Sequence, residues 1–162
     1  MKLWDKGYKI DDAIERFTVG KDKELDVLLA PYDILGTMAH VTMLESVGLL
    51  SKQDLDALLP ALRELYAETQ AGNFIIEEGI EDVHSQVELM LIRRLGEVGK
   101  KVHTGRSRND QVLVDLKLFT RAQIEKTITL VEHLFEVLQT RSDATKHILM
   151  PGTVTETLDA LA

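Results

Sequence analysis

One segment concentrates the residues that could do chemistry. Lys101-Val102-His103-Thr104-Gly105-Arg106-Ser107-Arg108-Asn109-Asp110-Gln111 is almost wholly polar, contains a glycine and leads directly into a long apolar-periodic stretch. At a helix start, unpaired backbone N–H groups and the positive end of the helix dipole favour an anion. Thr104, Ser107 and Asn109 add short neutral donors. Arg106 and Arg108 can each grip a carboxylate through two parallel hydrogen bonds. Helix capping accounts for one of Ser107, Asn109 or Asp110, not for eight such residues in a row. On chemistry alone, phosphate and dicarboxylate are equally acceptable ligands.

The surrounding charge sharpens this. Between Arg93 and Arg108 stand six basic residues (Arg93, Arg94, Lys100, Lys101, Arg106 and Arg108) and one acidic residue, Glu97, in a chain whose formal net charge is −8. For Arg93, Arg94, Lys100 and Lys101 a solvated basic face is expected. A pI near 5.1 argues against broad nucleic-acid binding, which depends on neutralising phosphates. The absence of cysteine excludes a disulfide framework, thiolate catalysis and zinc–cysteine sites. No His/Asp/Glu spacing matches a metal site. Glu77-Glu78 and Glu81-Asp82 read as solvated loop, and His40 and His133 as partly buried or surface residues. His147 falls near the end of the long helix, where a cation favours the dipole.

Helices must position this segment. From Arg106 to Met150 there is neither glycine nor proline, and Ile124, Ile128, Val131, Phe135 and Leu138 recur at steps of four and three. The spacing predicts one helix longer than globular proteins usually carry, part of a bundle or coiled-coil-like element. Its upstream half, with Val112, Leu113, Val114, Leu116, Leu118 and Phe119, is apolar on more than one face, so burial on several sides is expected, with partners beyond this chain segment. Shorter helices precede it. Pro31 suits the first turn of one running to about Val47 and ended by Gly48. Ser51-Lys52-Gln53-Asp54 reads as an N-cap with an acidic third residue, opening a helix with Leu55, Leu58, Leu59, Leu62 and Leu65 on one side. Pro60 predicts a kink or break there. Residues 81–95 form a further amphipathic helix closed by Gly96 and Gly99, and Phe74-Ile75-Ile76 fits either a small strand or a loop anchor. The fold class is all-α, with small N-terminal helices leading into one long bundle helix. Uncharged apolar stretches fall short of the roughly 18–20 residues a spanning helix needs, and the N-terminus lacks an apolar signal core. A cytoplasmic protein with no membrane partner is expected.

His103-Thr104-Gly105-Arg106-Ser107-Arg108-Asn109-Asp110-Gln111 resembles the signature of the argininosuccinate lyase family, within the fumarase/aspartase superfamily. Glu81-Asp82-Val83-His84 is similar to the family's Glu-Asp-(Ile/Val)-His segment. Leu3-Trp4, Tyr32-Asp33-Ile34-Leu35-Gly36 and Leu149-Met150-Pro151-Gly152 also match, so the resemblance runs from about residue 3 to 152 in the family's order. It implies an all-α homotetrameric enzyme whose protomers join their long helices and share active sites. The family splits argininosuccinate into arginine and fumarate in arginine biosynthesis, without metal or organic cofactor. It further implies an N-terminal helical domain over 1–105, the start of the central bundle over 106–150 and a divergent tail over 151–162. Ser107, Arg108 and Asn109 would bind the succinyl carboxylates and stabilise the aci-carboxylate formed when the neighbouring C–H loses its proton, with Thr104 supporting the loop. Arg106 would either join them or pair structurally with acidic side chains. Asp82 and His84 would lie near the guanidinium end or brace the loop.

Two features depart from the family pattern. The family continues its Pro-Gly with Tyr-Thr-His, whereas Val154 and Thr155 occupy the Thr and His places here. Valine donates no hydrogen bond and threonine has no group titrating near neutrality. The family's Gly-Ser-Ser loop, with its proton-abstracting serine, has no counterpart in these 162 residues. No catalytic residue is therefore assigned, and the expectation is a fragment or shortened form, inactive alone, whose ligand is argininosuccinate or a fumarate-type dicarboxylate. The alternative is a non-catalytic helical module that oligomerises through its long helix.

Overall fold

A computed structural model describes residues 22–149. Every regular element among them is helical. A short helix α1 (Asp22–Asp26) passes through a 3₁₀ turn (Val27–Leu29) into α2 (Ala30–Ser46). Then follow α3 (Lys52–Gln70), α4 (Val83–Leu95), a 3₁₀ segment (Gly96–Lys101) and α5 (Arg108–Thr145). The described residues fall into two compact units that divide between Thr120 and Arg121.

Local sequence sets the boundaries. Pro31 stands in the first turn of α2, where its missing N–H has no helical partner to lose. Ser51 caps α3: its hydroxyl oxygen accepts from the Asp54 amide at 3.1 Å, and its O–H donates to Asp54 Oδ2 at 2.7 Å. The break expected at Pro60 does not occur, and α3 runs through it. Pro60 is exposed, so the carbonyl it deprives of a partner can turn to water. Leu55, Leu58, Leu62 and Leu65, on both sides of it, are all buried and keep both halves of the helix packed on the core. Asp82 caps α4 by accepting the Ser85 amide at 2.8 Å. The chain turns at Gly96, whose φ is 61°. Gly99 then lies so close to α4 that a Cβ there would stand 2.5 Å from the Leu91 carbonyl carbon. Phe74 is buried and Ile76 packs on the core, while Ile75 is exposed. This segment is therefore a loop anchor and not a strand.

The core lies among α2, α3 and α4. Ile34, Val41 and Leu44 meet Leu58, Leu62 and Leu65, and Val83, Val87, Leu91 and Val102 complete it. Each contributes roughly 1.5–3 kcal/mol by leaving water. The segment Lys23–Ser46 is long and apolar enough to pass for a membrane span by length and composition, which the reading of uncharged stretches alone did not bring out. It contains the fully buried Asp33, and its Ile34, Val41 and Leu44 belong to the core.

The upstream half of α5, expected to take partners beyond its own chain segment, is uncovered in the single chain: Leu113, Val114 and Leu116 are exposed, and the buried residues of α5 are Gln111 and Asp115. Phe119 is half-buried, its ring edge-on to Tyr32 at 5.8 Å. These apolar positions need more partner surface than α2 to α4 supply.

Candidate functional site: a polar loop over a buried charge network

The segment between the 3₁₀ turn and α5 is folded by its own short-range bonds. Thr104 donates through both its amide and its hydroxyl to the Lys101 carbonyl, and the Arg106 amide donates to the His103 carbonyl. His40 Nε2 donates to the Thr104 carbonyl at 3.0 Å, which gives this partly buried histidine a local structural job. Gly105 supplies the positive φ, 66°, that the turn requires. Ser107 precedes α5 and its carbonyl accepts the Gln111 amide at 3.1 Å. It thereby occupies the N-cap position.

The residues singled out by chemistry separate into two layers. Thr104, Ser107 and Asn109 are exposed. Among the described residues the Ser107 hydroxyl and the Asn109 amide have no hydrogen-bond partner, so both donors are open beside the start of α5. Arg106 and Arg108 reach the other way. Arg108 pairs with Asp82 and lies 3.3 Å from the Ser85 hydroxyl, while Arg106 donates to Thr37 Oγ1 at 3.1 Å. Burial raises the Asp82 pKa, but the Ser85 amide and hydroxyl, then the Arg108 and His84 charges, outweigh it and leave the carboxyl below its ordinary range.

Beneath the loop lies a cluster that sequence reasoning missed. Asp33 Oδ1 accepts from His84 Nδ1 at 2.9 Å and also from the Gln111 side-chain amide. Asp115 Oδ2 is 3.7 Å from His84 Nδ1. Asp33 and Asp115 are both 0% exposed, and neither Asp115 oxygen has a hydrogen-bond partner among the described residues. The pairing shows in the proton affinities. Burial alone would raise Asp33, yet the His84 bond and charge hold it below its usual value. Burial would lower His84, yet Asp33, Asp82 and Asp115 raise it. Asp115 carries the cost of sharing the site: burial, then the Asp33 charge, push it up to about 7. Burial holds the neighbouring His103 neutral, with a pKa lowered to about 4.

Asp33, His84 and Asp115 bring one ligand atom each within 4.8 Å of one another, a spacing that could hold a cation. Two cationic side chains already answer the two carboxylates, however. His84 is bound to Asp33, and the charge of Arg106 acts on Asp115. The cluster is self-balanced as a charge network. Its signal in the sequence was a charge inside an apolar run: Asp33 in Tyr32-Asp33-Ile34-Leu35, and Asp115 in Val112-Leu113-Val114-Asp115-Leu116. Buried carboxylates of this kind are rarely found without partners.

The outer basic residues resolve into pairs. Arg93 meets Glu77, Arg94 meets Glu64 and Glu68, Lys100 meets Glu97, and Lys101 meets Asp54 at 2.8 Å. Exposed pairs of this kind are worth little to stability, but among the described residues they answer the local basic excess with carboxylates. Val154 and Thr155 lie outside the described residues, as do Leu3-Trp4 and residues 150–152.

A family model described as lyase matches residues 8–162. Argininosuccinate lyases of Parabacteroides distasonis and Bacteroides thetaiotaomicron are each 62% identical to this chain over 151 residues, covering 93% of it and 34% of the relative. That of Methylococcus capsulatus is 41% identical over 153 residues, covering 32% of its own length. The chain thus spans about a third of the length of the curated relatives it matches.

Proposed function

Because the chain belongs to the lyase family, we propose that it is the portion of an argininosuccinate lyase that supplies the fumarate-side loop to the active site, the remaining groups coming from other segments. The ligand is argininosuccinate or its fumarate half. Ser107 and Asn109 donate to the succinyl carboxylates, and Arg108 adds charge from the same turn. As the C–H beside the carboxylate loses its proton, charge accumulates on those oxygens, and fixed donors aimed at them lower the barrier. Thr104 ties the loop to Lys101, while Asp82 and His84 brace it from α4. Breaking the carbon–nitrogen bond then releases arginine and fumarate, in arginine biosynthesis in the cytoplasm. The single observation supporting this reading is the pair of open donors, Ser107 and Asn109, at the start of the long helix with Arg108 between them. Under it, residues 1–105 act as the N-terminal domain, 106–150 as the start of a bundle shared in a homotetramer, and 151–162 as a tail.

Succinate and fumarate titrated into the purified chain should shift the backbone amide resonances of Ser107, Arg108 and Asn109 saturably, and Asn109→Ala should remove the response. No fumarate should be released from argininosuccinate by the chain alone. Absence of any dicarboxylate response, or fumarate production proportional to this chain in a lyase-free preparation, would count against the reading.

A second reading is favoured by a different observation. Ile124, Ile128, Val131, Phe135 and Leu138 are all more than half exposed on one side of α5, as a non-catalytic oligomerising module requires. Oligomers by light scattering, with no dicarboxylate response and no effect of Asn109→Ala, would select it.

A further inference from the structure

The charge network beneath the loop has a role that its balance alone does not require. We infer that Asp33 and Asp115 are positioning residues of the dicarboxylate loop, fixing from below the direction in which Ser107, Arg108 and Asn109 are presented. This rests on the proposed reading of that loop as a ligand site, but its own evidence is geometric.

Asp33 ties the first turn of α5 to α2 and α4 at once, because the same oxygen receives Gln111 and His84. Asp115 stands one turn further along the same face of α5 as Gln111, equally buried. The approach of these groups to α2 depends on Gly36. A Cβ there would lie 3.2 Å from Arg106 Nη2, 3.4 Å from Val114 Cγ1 and 3.6 Å from Asp115 Oδ1. Mid-helix glycine costs stability relative to alanine, and here it admits the loop arginine and the buried carboxylate side by side. Arg106 is then fixed by Thr37, one residue on and fully buried. The loop is pinned at both ends: Arg106 to α2 on one side of Ser107, Gln111 to Asp33 on the other.

The charged and titratable groups facing Asp115 come from every element around it. They are Asp33 of α2, His84 of α4 and Arg106 of the loop, while Asp82, the cap of α4, acts on His84 and His103 faces Asp33. With both carboxylates ionised, His84 and Arg106 are drawn inward. With Asp115 protonated, that pull weakens and the loop is freer. Asp115→Asn imitates the protonated form without changing shape.

The test uses the full 162-residue chain, observed by two-dimensional amide NMR first without ligand and then with succinate. In the unsubstituted chain the resonances of residues 103–109 should move between pH 6 and pH 8. In Asp115→Asn that movement should shrink at least severalfold, and succinate should bind about 10- to 100-fold more weakly at pH 8, the scale expected when binding groups are misplaced by about 1 Å. Thr37→Val, which keeps the side-chain shape and removes the Arg106 acceptor, should weaken succinate binding in the same direction with the melting temperature little changed. Loop resonances and succinate affinity that match the unsubstituted chain in both variants would overturn the inference. If the unsubstituted chain ignores succinate while Asp115→Asn still abolishes the pH response of the loop, the ligand assignment falls and the positioning role stands. If succinate binds equally well to all three chains, the reverse holds.

Discussion

The two stretches of α5 invert the usual rule of what a helix buries. From Arg108 to Thr120 the helix buries Gln111 and Asp115 and leaves Leu113, Val114 and Leu116 exposed. From Arg121 to Thr145 almost every residue is exposed, including the regular apolar series Ile124, Ile128, Val131, Phe135 and Leu138. In α2, α3 and α4 the opposite holds, with leucine, isoleucine and valine filling the interior. The difference teaches what each stretch is for. Burying carboxylates is expensive in desolvation and returns little net stability even when they are paired, so the first stretch trades stability for the placement of a loop. The second offers an apolar stripe for other helices to cover. In proteins most helical stability comes from tertiary packing of such an apolar face.

The largest effect should come from breaking the polar floor. Asp33→Ala leaves His84 and the Gln111 amide without their shared acceptor, and removing one partner of a buried pair costs about 3–5 kcal/mol. Chemical denaturation followed by circular dichroism measures this. A loss below about 1 kcal/mol would mean that the floor is not a stabilised network but one whose groups relax freely to water. Next in size is the contrast between core and stripe. Leu62→Ala, at a fully buried position of α3, should cost about 2–5 kcal/mol. Leu138→Ala, 58% exposed in α5, should stay within about 0.5 kcal/mol in dilute solution where the chain is monomeric. A large loss at Leu138 that grows with protein concentration would show the stripe already covered by a second copy. Smaller again is Ser51→Ala at the start of α3, which should cost about 1 kcal/mol through loss of the Asp54 cap.

The sequence carried the helices well because their signals are local. Pro31, the Ser51–Asp54 cap and Gly96 each act within a turn of where they stand, and the long interval without glycine or proline marked α5. Of the kink or break that Pro60 suggested, the break is absent, because a proline's effect depends on which side of the helix faces water, and that is decided by packing. The exposed layer of the site, Thr104, Ser107 and Asn109, was legible as a string. The layer beneath was not. Asp33, His84 and Asp115 are far apart in sequence, and nothing in the spacing of one carboxylate to another shows that α2, α4 and α5 bring them together. Arg106 and Arg108 looked alike as carboxylate grips, yet in the fold one reaches Thr37 and the other Asp82. Only the tertiary arrangement separates them.

The finest difference lies in the response to pH, since the apolar stripe of α5 (Ile124, Ile128, Val131, Phe135 and Leu138) is built of side chains that do not ionise, whereas the floor holds several groups with shifted affinities. Asp115 ionises near its ordinary 3.8 in the unfolded chain but only at about 7 when folded, so its contribution to stability declines as pH rises between those values. His103, lowered to about 4 from 6.5, works in the opposite sense: the unfolded chain takes up a proton that the folded chain refuses, so stability rises with pH from about 4 to 6.5. The two offset each other over most of that range. Above pH 6.5 the compensation ends. His84, raised from 6.5 by Asp33 and its neighbours against the effect of burial, contributes fully below 6.5 and loses that contribution as pH climbs through its folded value. Asp115 completes its own loss in the same window. Asp33, with its lowered pKa, acts only below 3.8. The melting temperature should therefore fall between pH 6.5 and pH 8. In Asp115→Asn the fall should shrink to the share of His84, so the variant gains on the unsubstituted chain as pH crosses 7. Identical slopes in the two chains would place the Asp115 proton outside this equilibrium and leave the floor as passive packing.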